Sequence, residues 1–190
     1  MKIFLETDRL TLRELTGADA DHLFELDGDP EVMRYLNGGK PTPREEILDR
    51  VLPRMLHRHD VSGRPGYWAA EIRSTGEFIG WFELRPLVEE EAPESVELGY
   101  RLRRTAWGKG YATEGARALV REGFAGLGVE RVVARTMAVN TGSRNVMEKA
   151  GLRFVRTFHA DWPEAIPGSE HGEVEYALTR DEWLATTGRA

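Results

Sequence analysis

Trp107-Gly108-Lys109-Gly110-Tyr111-Ala112-Thr113-Glu114 follows a strand-like segment and opens a helical one. Two glycines let a backbone come close to a ligand. The helix start behind them offers unpaired N–H groups and roughly +0.5 of an elementary charge, an arrangement that receives a pyrophosphate or another anion. The same letters also suit a tight strand-to-helix turn whose φ angles need glycine. Two phosphate motifs are excluded. A P-loop needs Gly-Lys followed by Ser or Thr, whereas Lys109 precedes Gly110. A dinucleotide fingerprint needs a glycine three residues after Gly110, where Thr113 stands.

Working outward, Leu10 to Leu15 alternates apolar and polar residues as a half-buried strand does. Thr16 then caps a short helix burying Ala20, Leu23, Phe24 and Leu26. Asp29-Pro30 starts a second helix through Met33 and Leu36, ended by Gly38-Gly39. Thr42-Pro43-Arg44-Glu45 reads as a capping box with proline at the first helical position. The stripe Ile47, Leu48, Val51, Leu52, Met55, Leu56 follows, kinked at Pro53.

From Tyr67 the period becomes two. Tyr67–Ile72 and Phe78–Leu84 form a hairpin at Ser74-Thr75-Gly76; Glu89–Pro93 is an acidic loop, and Ser95–Leu102 the next strand. A helix from Tyr111 to Ala125 buries Ala112, Ala116, Leu119, Val120 and Phe124, and Gly126 and Gly128 stop it. Arg131–Met137 is an apolar strand suited to a sheet covered on both faces. Ser143–Ala150 is a short helix closed by Gly151, and Leu152–Phe158 and Glu173–Leu178 are the last strands. This order predicts a single mixed α/β domain over residues 1–190.

A chain of 190 residues buries about 70% of its unfolded surface without disulfide or metal staples. It has no cysteine, which excludes thiol nucleophiles and thiolate metal sites. Its five histidines form no His-Glu-x-x-His pair, and His57 and His59 fall on different helix faces, so no metal is expected. The net charge of −6 argues against nucleic acid and anionic membranes and for cationic substrates. No apolar run approaches the roughly 20 residues of a membrane span. The opening Met-Lys-Ile-Phe-Leu-Glu-Thr-Asp meets acidic residues too soon for a signal peptide. A soluble cytoplasmic protein is the expectation.

Three segments together resemble the GNAT superfamily of N-acetyltransferases: Trp107–Glu114, Val96-Glu97-Leu98-Gly99-Tyr100, and Asn140-x-x-Ser143-x-x-Val146-Met147-Glu148-Lys149-x-Gly151. They look most like its RimJ/RimL-like branch of ribosomal-protein N-terminal acetyltransferases. The likeness runs from Arg9-Leu10-Thr11-Leu12-Arg13 to Glu175-Tyr176-Ala177-Leu178. It implies a GNAT fold: a mixed, mostly antiparallel central sheet of about seven strands, flanked by helices. Two parallel strands splay apart in it, and the thioester lies in the gap. The implied activity moves an acetyl group from acetyl-CoA to a primary amine by direct attack, without an acetyl-enzyme, which the missing cysteine fits. The acceptor is a protein N-terminus or a small-molecule amine, and a homodimer is admissible. The rival reading is a non-catalytic acyl-CoA-binding module that regulates a partner.

By the same resemblance, Gly108, Lys109, Gly110, Ala112 and Thr113 contact the pyrophosphate, with Trp107 standing where the broader family has Arg or Gln, a departure common in the RimJ/RimL-like branch. The cofactor-binding set also takes in Tyr100, Arg101 and Leu102, with a backbone N–H near Tyr100 or Arg101 meeting the oxyanion. Asn140 hydrogen-bonds the pantetheine amides. Amide formation needs a base for the amine and a donor for the thiolate. Glu97 is the expected base, directly or through water, with Glu94 and Asp161 behind it; because it alternates with Val96 and Leu98, the structural alternative is a solvent-facing strand residue. Many family members carry a tyrosine donor where this chain has Met147, so Ser143 becomes the donor. For Ser143 helix capping, and for Asn140 a plain turn, are the structural alternatives. Tyr35, Gly38-Gly39 and the kinked helix are expected to wall the amine pocket. Trp68, Trp81, Phe82 and Trp162 are either core or cleft, and Glu89-Glu90-Glu91 either steers a cation or is a solvated loop.

Overall fold

Period-two alternation and helical stripes become strands and helices where the sequence places them, with two additions. The computed structural model describes residues 2–59, 64–87, 92–160 and 164–187. The strands are β1 (Ile3–Glu6), β2 (Leu10–Glu14), β3 (Tyr67–Ile72), β4 (Phe78–Leu87), β5 (Ala92–Leu102), β6 (Arg131–Met137), β7 (Arg153–Phe158) and β8 (Glu173–Thr179). The helices are α1 (Ala20–Asp27), α2 (Pro30–Asn37), α3 (Arg44–Glu46), α4 (Leu52–Leu56), α5 (Tyr111–Arg121), α6 (Thr141–Lys149) and α7 (Arg180–Thr187). One mostly antiparallel sheet runs β1-β2-β3-β4-β5-β6-β8-β7, with β5 and β6 parallel.

Eight strands replace the expected seven because β1 is a four-residue run without alternation. The sequence reading also omits α7, which buries no residue and so has no apolar stripe to betray it. Its signal is a cap instead: Glu182 Oε2 accepts from Thr179 N and Oγ1, and Glu182 N donates back to Thr179 Oγ1. The capping box expected at Thr42 does not form. Pro43 is the N-cap of α3 and makes no side-chain cap, while Thr42 is buried and donates its N–H to Asp27 O.

The chain divides into two compact units, Met1–Glu83 with Tyr100–Gly115, and Leu84–Gly99 with Ala116–Ala190. In the first unit, Leu23, Leu26, Ile47, Met55, Tyr67 and Trp81 belong to one apolar cluster. Phe24, Leu48 and Leu56, expected inside, are exposed, and Phe24 lies under the Arg44 guanidinium at 5.5 Å. The expected kink is a π-turn over Ile47–Val51, closed by Leu52 N on Ile47 O just ahead of Pro53, which has no N–H to continue an α ladder. Arg13 is buried between Asp19 and Glu71, both at 2.7 Å, tying β2 to β3 and to the turn before α1.

Two glycines in this unit are fixed by contact. A Cβ on Gly80 (φ 142°) would stand 2.1 Å from Arg101 O, so β4 meets β5 through bare backbone. A Cβ on Gly115 would stand 2.2 Å from Phe82 Cζ, so α5 lies flush on β4.

In the second unit β6 is central, with Val132, Val133 and Ala134 fully buried as a doubly covered strand requires. The helix predicted to Ala125 ends as α5 followed by a π-turn over Glu122–Gly126, and Phe124 stacks on Trp183 of α7 at 5.4 Å. The acidic loop expected at Glu89–Pro93 falls partly outside the described residues, and β5 has already begun at Ala92. Gly115→Ala should destabilise by about 1–3 kcal/mol in urea unfolding through overpacking against Phe82. Gly17→Ala, where a Cβ meets nothing within 4 Å, should change stability by less than about 0.5 kcal/mol.

Candidate active site

The loop that opens α5 holds both of its glycines in the left-handed region, Gly108 at φ 71° and Gly110 at φ 82°. A Cβ at Gly108 meets nothing within 4 Å, and one at Gly110 meets only Arg9 Nη2 at 3.3 Å. Backbone angle demands glycine at both positions, and a Cβ at Gly108 would meet open space. The first α5 amide to return to the chain is that of Glu114, on Gly110 O at 3.0 Å. Amides ahead of it precede the first intrahelical bond, which suits them to an anion.

Contacts of Glu114, Arg9 and Trp107 fix the loop. Glu114 Oε1 accepts from Thr7 Oγ1 at 2.6 Å and from Arg9 N at 2.9 Å, and Oε2 accepts from Arg9 Nε at 2.6 Å. Arg9 Nη1 donates to Lys109 O at 2.9 Å, and its guanidinium lies 4.6 Å from the Tyr111 ring centroid. Trp107 Nε1 donates to Leu102 O at 2.8 Å, joining the loop to the end of β5. Burial works against the Glu114 charge, but the hydrogen bonds from Thr7 and Arg9 outweigh it and hold its pKa below the ordinary value. Thr7 and Arg9 were not singled out from sequence; the β1–β2 turn gives no hint that it reaches α5.

The side chains of Arg101 and Leu102 are committed to the first unit. Arg101 Nη1 pairs with buried Asp27 at 2.6 Å and its guanidinium lies 5.0 Å from the Trp81 ring, while Leu102 is buried. What Arg101 and Leu102 have left to offer is backbone; Tyr100, half-buried, sets its ring 6.1 Å from that of Phe82. Trp68, Trp81 and Phe82 are buried and belong to the core rather than a cleft. Tyr35 is half-buried with Arg34 over its ring at 5.4 Å, and Gly38 (φ 76°) is the left-handed cap of α2. Trp162, Asp161 and Glu89–Glu91 lie outside the described residues.

In the second unit the parallel ladder pairs Ser95, Val96 and Glu97 with Arg131, Val132 and Val133, and among the described residues it stops there. Both strands continue beyond it, β5 to Leu102 and β6 to Met137. Register puts Glu97 on the sheet face of Val133, Arg135 and Met137, which is also the face of Glu173, Glu175 and Ala177. Glu97 is ion-paired with Arg85 of β4. Glu175 is buried and receives Arg135 at 3.0 Å, Arg156 at 3.1 Å and Arg131 at 3.4 Å. Glu173 makes no hydrogen bond or ion pair among the described residues. Burial pushes its pKa above the ordinary carboxylate value; Arg135 opposes this and the charge of Glu97 adds to it. Glu94 is exposed. Sequence alternation could have placed Glu173 on the face of Glu97, but only if the register of β5, β6 and β8 were known.

Asn140, not Ser143, caps α6: its Oδ1 accepts from Ser143 N at 3.2 Å and its Nδ2 donates to Thr136 Oγ1 at 3.1 Å. Each end of that amide retains one further hydrogen-bonding position. Ser143 is therefore the third residue of the helix, half-buried, rather than its cap. Met147, at the position of the usual tyrosine, is 2% exposed and packs as core. Among the described residues no group of His, Cys, Asp or Glu could hold a metal ion, and no helix is long and apolar enough to cross a membrane.

Comparison with known proteins agrees with this architecture. Residues 9–153 match the acetyltransferase (GNAT) domain family. The chain is 40% identical over 185 residues to FsC-acetyl coenzyme A-N(2)-transacetylase of Aspergillus fumigatus, covering 95% of this chain and 77% of that protein. A GNAT-family acetyltransferase from Bacillus anthracis superposes with a TM-score of 0.76 at 25% identity, over 94% of this chain and 99% of the other. RimL, the ribosomal L7/L12 alpha-N-protein acetyltransferase, solved with coenzyme A, has the same fold with a TM-score of 0.76 at 18% identity, over 95% and 99%.

Replacing Glu114 by Gln should loosen the loop by about 1 kcal/mol, allowing for the exposure of Arg9, and so speed amide exchange at 108–113 about fivefold. Because the folded pKa is depressed, the wild-type anchor is fully present above the ordinary value of 4.5 and is lost as pH falls through the lower folded pKa. Exchange measured against pH should show wild-type protein approaching the variant only in acid.

Proposed function

The chain belongs to the acetyltransferase (GNAT) family, and from that premise we propose that residues 1–190 act as one N-acetyltransferase whose acceptor is a small-molecule primary amine. The observation that carries the cosubstrate end is the Gly108–Gly110 loop: two left-handed glycines, the first with nothing within 4 Å of a Cβ, leading into the N-terminus of α5. The A. fumigatus relative, an N(2)-transacetylase by name, supports a small-molecule acceptor. A protein N-terminus, as in the RimJ/RimL-like branch, has weaker support, since RimL at 18% identity speaks for the fold only. The reading carries with it a cytoplasmic location and needs neither nucleic acid nor membrane.

Acetyl-CoA supplies an activated acyl thioester. The backbone amides of Gly108, Lys109, Gly110, Ala112 and Thr113 are assigned to its diphosphate, with Trp107 bracing the loop through Leu102 O. The backbone at Tyr100, Arg101 and Leu102 is assigned to the acyl oxygen. Asn140 takes the pantetheine amides with the hydrogen-bonding capacity left by its cap, and the Ser143 hydroxyl hands a proton to the departing sulfur. Removal of the proton from the amine falls to a carboxylate of the sheet face that carries Glu97.

Acetyl-CoA at 100 times its dissociation constant should raise stability by about 2.7 kcal/mol. Gly110→Val should weaken that binding about tenfold or more, because a β-branched residue is strained at φ 82°. Thiol release from acetyl-CoA against a panel of amines and peptide N-termini then tests the activity. Release with small amines is expected. Binding of CoA without release for any acceptor would favour a regulatory acyl-CoA-binding module.

A further inference from the structure

We propose that Glu173, rather than Glu97, takes the proton from the acceptor ammonium, and that Glu97 and Arg85 are positioning residues acting through it. This rests on the acetyltransferase reading above and assigns the one proton transfer which that reading leaves to a carboxylate.

The geometry singles out one carboxylate among three. Glu97, Glu173 and Glu175 share a sheet face by register, but their surroundings differ. Glu175 is buried under Arg131, Arg135 and Arg156, which keep it charged and occupied. Glu97 is held by Arg85. A carboxylate tied into an ion pair is a weak proton acceptor, because taking a proton would strand the cation. Glu173 has no such tie among the described residues and is half-buried. It also stands at the right level of the sheet. The β5–β6 ladder ends at Glu97↔Val133, and the stretch of β6 that continues, Ala134–Met137, is paired along its other edge with Glu173–Tyr176 of β8. Glu173 is opposite Met137 at the end of that stretch.

The charged groups around Glu173 come from every neighbouring element. Arg135 of β6 draws its pKa down, and Glu97 of β5, itself held by Arg85 of β4, pushes it up. Glu175 and Arg156 lie along the same face, and beyond the strand His159 approaches Gly172 while His171 pairs with Glu170. An ion-paired Glu97 beside a Glu173 that has no ion pair among the described residues marks a division of roles, in which the Glu97 charge favours the protonated form of Glu173.

The step balances without a further reagent. The ammonium gives one proton to the Glu173 carboxylate, and the freed nitrogen lone pair forms the C–N bond as the thioester C–S bond breaks. The nitrogen sheds its second proton as sulfur gains one, and Glu173 returns its own to solvent.

The test is kcat/KM for the acceptor between about pH 5 and 9, on the full chain, for wild type, Glu173→Gln, Glu173→Asp and Glu97→Gln. Glu173→Gln should lose about 100-fold or more at neutral pH, keep its CoA affinity, and lack the enzyme-borne acidic limb, leaving only the ionisation of the amine itself. Glu97→Gln should keep that limb but move it to lower pH, since a negative neighbour has gone and Arg85 is unmasked. Glu173→Asp should keep the limb at reduced rate, which also guards against a misfolded glutamine variant. Wild-type rate and an unchanged limb in Glu173→Gln, or loss of the limb in Glu97→Gln alone, would overturn the assignment. Wild-type protein that releases no thiol with any amine would instead sink the acetyltransferase reading itself.

Discussion

A helix N-terminus can grip an anion only if no unbalanced negative charge of its own faces the same space, and α5 carries a carboxylate in its first turn. Glu114 is tolerable there because Thr7 and Arg9 take up both of its oxygens. The pairing converts a repulsive group into a clamp: Arg9, neutralising Glu114, also holds Lys109 O and covers Tyr111. Other contacts of this unit bear on the same segment. Trp107 is tied back to Leu102, Gly115 lets α5 lie against Phe82, and Gly80 lets Arg101 O of β5 come close to β4. Each contact limits where the first turn of α5 can sit, and none fills the space over Gly108.

The second unit separates apolar from charged work by strand alternation. Val132 and Ala134 share one face with Val174, Tyr176 and Leu178, all buried. The opposite face holds a short apolar cluster, Leu87, Val133 and Ala177, set among carboxylates and arginines. Buried charges survive only when paired, and Glu175 with three arginines is the extreme case. Burial raises the cost of its charge, but Arg156 and Arg135 more than offset it, so its pKa lies below the ordinary value. At Glu173, one residue pair along the same strand, the charge of Arg135 does not offset burial.

Most of the fold was legible because its strands and helices carry strong periods. β3 and β6 match the residues expected from alternation alone, and α2 follows its Asp29-Pro30 start and Gly38 stop. Failures fall where one local signal competes with a tertiary demand. Thr42 has the letters of a cap but is drawn into a backbone bond with Asp27, whereas Thr179 and Glu182 form a real box at a helix with no apolar stripe. The conformation of the glycine loop was legible because its backbone angles are ones that few residues other than glycine adopt. The carboxylate cluster was not, because it assembles Arg85, Glu97, Arg135, Glu173 and Glu175 from four strands, and register is a long-range property.

The two proton transfers of amide formation are unequal, and the chain reflects this. An alkyl ammonium with pKa about 10.4 is about 3.4 units from neutral at pH 7, so freeing its lone pair costs about 4.6 kcal/mol in the absence of a base. A thiolate whose conjugate acid has pKa about 8.5 is protonated downhill at the same pH, and water or a hydroxyl suffices as donor. Losing the tyrosine donor therefore costs little, and Met147 can be given over to packing at that position, 2% exposed. Losing the base would cost far more. A carboxylate serves as that base only if it is not already satisfied by a cation and if its proton affinity is lifted toward neutrality. Arginine saturation disqualifies Glu175, and Arg85 disqualifies Glu97, although its charge still helps. The same arithmetic that makes the sulfur side of the site permissive makes the nitrogen side demanding, and Glu173 is where burial, register and the lack of an ion pair among the described residues coincide.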